Sequence, residues 1–112
     1  MVGQLRQVEV ITSDDFEEHL LEVLGYGIET FGMIQARRYY STIQNLVKKL
    51  DTQYTYHPEC RHLATKSRMY RNIILDSHLI IYRITDKQIE VLDIIHSASS
   101  ISRIRSVRSI RI

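Results

Sequence analysis

The sequence predicts a single α+β domain in which an N-terminal strand and an antiparallel two-helix hairpin pack on an antiparallel β-sheet, in the order β-α-α-β-β-β. Three observations predict it. Apolar residues recur at helical spacing between residues 14 and 50. Three β-branched and aliphatic runs follow within residues 69–96, separated by only two to four residues, which demands hairpins. At 112 residues the chain has room for one core and not two.

The first segment, LRQVEVI at residues 5–11, roughly alternates apolar and polar and reads as a short strand. TSDDFEEHL then opens a helix: Ser13 or Asp14 can cap the free amides, and Asp15, Glu17 and Glu18 place negative charge at the positive end of the dipole. Its apolar stripe is Phe16, Leu20, Val23 or Leu24, Ile28 and Phe31. Gly25 and Gly27 weaken it by about 1 kcal/mol each relative to Ala, so a loosening or kink is expected there. Phe31-Gly32 ends it with a left-handed glycine cap. The second helix carries Ala36, Tyr39 or Tyr40, Ile43, Leu46 or Val47 and Leu50, with Lys48 and Lys49 near its C-terminus.

Residues 51–68 lose periodicity, hold the lone proline, and read as a connecting loop. MYRNIIL (69–75), HLIIYRI (78–84) and IEVLDIIH (89–96) then form an antiparallel meander. The tail, ISRIRSVRSIRI at residues 101–112, has four arginines and no acid. Its periodicity fits a strand at Arg103-Ile104-Arg105 and a helix at Ile101, Ile104 and Arg108, so an edge strand, a frayed end and a basic arm all stay open. Its apolar residues would be sticky if exposed, so pairing within the fold or across a dimer is expected.

Composition excludes several classes. With 44% hydrophobic and 25% charged residues the chain is neither disordered nor fibrous. Cys60 is the one cysteine, so no intramolecular disulfide and no cysteine zinc site forms. No apolar run approaches the ~18 residues of a membrane span, and Arg6 and Glu9 interrupt the stretch a signal peptide would need. A cytoplasmic protein without membrane contact, metal or cofactor is expected. Charge is unevenly placed: residues 1–60 carry five Lys/Arg against nine Asp/Glu, residues 61–112 ten against four. An acidic helical half joined to a basic sheet half points to an anionic partner on the sheet side, or to a well-solvated surface.

Four stretches, in this order and spacing, resemble the RelE/ParE superfamily of bacterial toxins, on the ParE side. They are VITSDDFEEHLLEVLGYGIETFG, ARRYYSTIQNLVKKL, YRNIILDSHLIIYRI and IEVLDIIHSASS, together roughly residues 8–98. The resemblance implies a RelE/ParE-like domain at residues 1–100 with residues 101–112 as its basic C-terminal extension. It also implies the toxin of a type II toxin–antitoxin system, a plasmid stabilisation toxin neutralised by a cognate antitoxin. ParE-like members inhibit DNA gyrase; RelE-like members cut mRNA on the ribosome; a degenerate member would only bind antitoxin. A homodimer or a toxin–antitoxin hetero-oligomer is the assembly to expect.

RelE-like catalysis uses cations to hold the scissile phosphate and stabilise its developing charge. By resemblance Arg71 stands for the family's first lysine, but Ile73 falls at the second, Leu79 at the strand arginine, and no arginine follows His96 until Arg103. Catalytic candidates therefore reduce to Arg71 and His96, and an enzyme of the RelE type is not expected. The basic residues Arg61, Lys66, Arg68, Arg71, Arg83, Arg103 and Arg105 are candidates for contacting target or antitoxin, since guanidinium groups bind phosphate or carboxylate. His78, beside a tight turn, is expected to be exposed; Cys60 is expected to be a small buried residue. His57 and His62 flank Pro58 and Cys60 without recognisable ligand spacing. Tyr39, Tyr40, Tyr54 and Tyr56 are candidates for base stacking or, more simply, for core and rim packing.

Overall fold

A computed structural model describes residues 7–112. Strand β1 (Glu9–Thr12) leads into α1 (Asp14–Phe31), α2 (Met33–Lys48) and a single helical turn, α3 (Leu50–Gln53). After a loop come β2 (Tyr70–Ile74), β3 (His78–Ile84) and β4 (Gln88–His96), then α4 (Ile101–Ser106) and a short 3-10 turn, Val107–Ser109. Of the strand expected at 5–11, residues 5 and 6 lie outside the described residues.

The order across the sheet is β1-β4-β3-β2. The meander is antiparallel as expected, but β1 runs parallel to β4, pairing Glu9–Thr12 with Gln88–Val91, so the sheet is mixed. A parallel neighbour requires a long crossover, and everything from α1 to β3 supplies it. In that place Val10 packs on the main core.

Ser13 caps α1: its Oγ accepts from Phe16 N at 2.9 Å and donates to the Leu92 carbonyl at 2.5 Å, fixing the helix start to β4. The expected kink at Gly25 and Gly27 is not there; α1 runs unbroken to Phe31. Packing overrides the propensity loss, because Gly27 lies where an added Cβ would come within 3.3 Å of the Ala36 Cβ on α2. Gly32 alone joins the helices, at φ 90° and ψ 164°. That is positive-φ extended backbone rather than the left-handed helical cap, and only glycine enters it without strain. The second helix stops two residues earlier than its stripe suggests, at Lys48, and Leu50 buries itself from α3 instead.

The sheet is covered on both faces. On one, Phe16, Leu20, Ile43, Val47 and Leu50 meet Ile73, Ile80, Tyr82, Ile89, Val91 and Ile94. On the other, Cys60 and Leu63 from the loop and Ile104 and Val107 from the tail meet Tyr70, Ile81, Leu92 and Ile95. The tail is thus neither strand nor frayed end: it is helical and packed within the fold. Ser100 Oγ caps α4 by accepting from Arg103 N at 3.1 Å. Arg83 clamps the end of the tail, reaching the carbonyls of Arg108 (3.5 Å) and Ile110 (3.3 Å) while its Nε donates to Glu90 at 2.8 Å. The open edge of β2 is part-covered by the loop, where Cys60 N donates to the Tyr70 carbonyl (2.8 Å) and Asn72 N to that of Pro58 (3.0 Å).

Candidate functional site

Between the helix hairpin and the Asp76–His78 and His96 end of the sheet lies a groove of about 850 Å³. His19, Arg38, Tyr39, His78, His96 and Arg103 bring its titratable chemistry together from five elements.

Two of its lining residues, His19 and Arg103, are held beside a fault in the sheet. Ile81 pairs with Asp93 and Tyr82 with Val91, leaving Leu92 as the extra residue of a β-bulge. Asp93 follows directly, with partners on α1 and α4. There its fully buried carboxylate accepts from His19 Nδ1 at 2.6 Å, from an Arg103 guanidinium nitrogen at 3.0 Å, and from the Ile94 amide at 2.8 Å. Burying a carboxylate is costly unless donors satisfy its oxygens, and these three do so. The hydrogen bond to Asp93 raises the His19 pKa above its ordinary value, against the opposing effect of burial. Sequence reading missed the clasp because its members are far apart in the chain; the one available signal was Asp93 standing among the apolar residues of VLDII.

The rim holds a histidine pair. His78 and His96 are register partners whose rings meet edge to face at 5.7 Å. His78 is half-buried rather than exposed, because the Tyr39 hydroxyl reaches its Nδ1 at 2.8 Å from α2. Burial, and then repulsion from His96, lowers the His78 pKa, keeping the ring neutral near pH 7. His96 is exposed, and its Nδ1 accepts from the Ala98 amide at 3.0 Å, which leaves Nε2 as the ring's donor.

The candidate cations separate into two kinds. Arg71 donates to three loop carbonyls, those of His57 (3.0 Å), Arg68 (3.2 Å) and Thr55 (3.3 Å). Arg83 holds Glu90 and the tail, and Arg103 holds Asp93. Arg61, Lys66 and Arg105 point to solvent, and Arg68, the one non-glycine residue at positive φ (58°) among the described residues, lies 3.6 Å from Glu59. Arg61, Lys66, Arg68 and Arg71 share the loop side of β2; Arg103 and Arg105 belong to α4.

Tyr39, Tyr40 and Tyr54 pack against the main core, whereas Tyr56 is exposed. Cys60 is buried, and burial pushes its thiol pKa up, away from nucleophilic chemistry. His57 packs edge-on to Tyr82 at 6.2 Å and burial lowers its pKa. Among the described residues, no three His, Cys, Asp or Glu side chains are placed to hold a metal ion, and no helix is long and apolar enough to cross a membrane.

Residues 10–101 match the family model described as the ParE toxin of type II toxin-antitoxin system, parDE. A solved structure titled as the chromosomal ParDE TA system from P. aeruginosa is similar in fold, with a TM-score of 0.66 at 15% identity over 81% of this chain and 97% of that one. No curated protein matches in sequence.

Proposed function

Because the chain belongs to the ParE toxin family of type II toxin–antitoxin systems, we propose that it is the toxin of such a pair, silenced by a cognate antitoxin and arresting growth by binding a cellular target such as DNA gyrase. The observation that carries binding over catalysis is what occupies the positions of the RelE-type cations. Ile73 is buried in the main core and Leu79 packs against the second cluster on the opposite face. An apolar side chain there can neither hold a phosphate nor neutralise charge developing on it. Contact with target or antitoxin falls in this reading to Arg61, Lys66, Arg68 and Arg105, which face solvent. Arg71, Arg83 and Arg103 support it by holding the loop, the tail and α4 in place. Residues 101–112 are then a basic extension of the domain formed by residues 1–100, working in the cytoplasm. Inducible expression with and without the antitoxin, combined with a gyrase supercoiling assay on purified protein, tests this reading.

One observation favours a second reading, a ribosome-dependent mRNA endoribonuclease: His96, with its ring against His78, lines the same groove as Tyr39 and Arg38. Arg71 is a poor residue for testing it, because its loss would disturb three loop carbonyls. His78→Gln with His96→Gln is the better pair. Growth arrest that survives both changes removes the nuclease reading, and arrest abolished in a folded variant supports it. Absence of any arrest in the unaltered chain would instead mark a degenerate member that only binds antitoxin.

A further inference from the structure

The outer surface of the helix hairpin is used by neither core cluster, and only its edge, at Glu22, Leu24, Phe31 and Arg38, is shared with the groove. Every charged side chain on α1 apart from His19 is an exposed acid: Asp14, Asp15, Glu17, Glu18, Glu22 and Glu29. On α2 the charges are Arg37, Arg38 and Lys48, again exposed, with no acid among them. The one-residue connection at Gly32 lays an all-acidic helix beside an all-basic one.

Large apolar side chains stand among these charges. Leu21 (62% exposed), Phe31 (58%), Met33 (48%) and Ile34 (73%) belong to neither core cluster. Leu21, Leu24, Ile28 and Phe31 are spaced i, i+3, i+7, i+10, a two-heptad seam beside the core stripe Phe16, Leu20 and Val23, with Leu24 and Ile28 half-buried and Leu24 and Phe31 reaching the groove. Gly25 sits on the same helix with nothing within 4 Å of an added Cβ, so its backbone is open to close approach from outside.

We propose that this face is a contact surface between two copies of the chain, related by a two-fold axis that lays α1 of each copy against α2 of the other. A two-fold contact must be self-complementary, and an acidic helix joined to a basic one meets that condition twice over. Pairing α1 with α1 would instead set two rows of carboxylates against each other. At 1.5 Å rise per residue α1 is about 27 Å long, and two helices about 10 Å wide offer roughly 500 Å² per copy. That is below the ~800 Å² typical of a stable partner, so the dimer forms reversibly with concentration.

Sedimentation velocity on the full chain tests the proposal, with circular dichroism confirming that each variant is folded. The unaltered chain is expected to pass from monomer to dimer as concentration rises, less readily at high salt. Ile34→Glu should raise the dissociation constant about tenfold or more, since it places an unpaired charge in the contact. The chain carrying Arg37→Glu and Arg38→Glu should fail to self-associate yet pair with one carrying Glu18→Lys and Glu22→Lys. A chain that stays monomeric throughout, a dimer indifferent to Ile34→Glu, or charge variants that do not pair when mixed would each overturn the proposal. A monomer in which these changes weaken only antitoxin binding would overturn it too and assign the face to the antitoxin.

Discussion

At the scale of single residues, Asp93 does more than any other side chain to join separate parts of the chain. Replacing it with Ala removes hydrogen bonds to two cations and an amide, and should lower stability by about 2–3 kcal/mol in urea unfolding. Its partner His19 gives that stability a pH dependence. The His19 pKa is raised in the folded state, so its contribution is complete below the unfolded value of 6.5 and is lost as pH rises through the folded value. Unfolding measured between pH 5 and 9 should therefore show a decline above about pH 6.5 that is absent in His19→Gln. Arg83 is the corresponding residue of the tail. Arg83→Met should speed hydrogen exchange in residues 107–110 while leaving β3 and β4 protected, because its guanidinium holds the carbonyls of Arg108 and Ile110.

At the scale of elements, the glycines divide by what surrounds them. Gly32→Ala forces a side chain into positive-φ backbone and should cost about 1–3 kcal/mol. Gly25→Ala, in open space on a helix, should gain up to about 1 kcal/mol. Thermal unfolding of the two variants checks both signs. Both helices and the meander were legible in the sequence because a period of 3.6 or 2 survives wherever one face is buried. The parallel pairing of β1 was not legible, since four residues alternate identically whichever way their neighbour runs. Nor was the tail: Ile104 and Val107 are too few to impose a period, and their partners Leu92, Ile95 and Leu63 come from elsewhere in the chain. The groove escaped for a related reason. Tyr39 and His78 touch only because the hairpin returns over the sheet, and Asp93, next to the extra residue in β4, gathers His19 and Arg103 from distant elements. What could be read beforehand was chemical: cations missing at Ile73 and Leu79, and a basic second half.

At the scale of the whole molecule, the sheet acts as a partition. One face is sealed by the acidic and basic hairpin, the other by a loop and tail that carry Arg61, Lys66, Arg68 and Arg105 outward. Such a body presents charge to a partner on two sides, which is why binding is the function proposed. DNA supercoiling by gyrase in the presence of the purified chain tests that claim most directly. Inhibition that rises with toxin concentration, is reversed by the antitoxin and persists in the folded His78→Gln, His96→Gln variant is the predicted result. Undisturbed supercoiling, together with cleavage of ribosome-bound mRNA that the same two substitutions abolish, would contradict it.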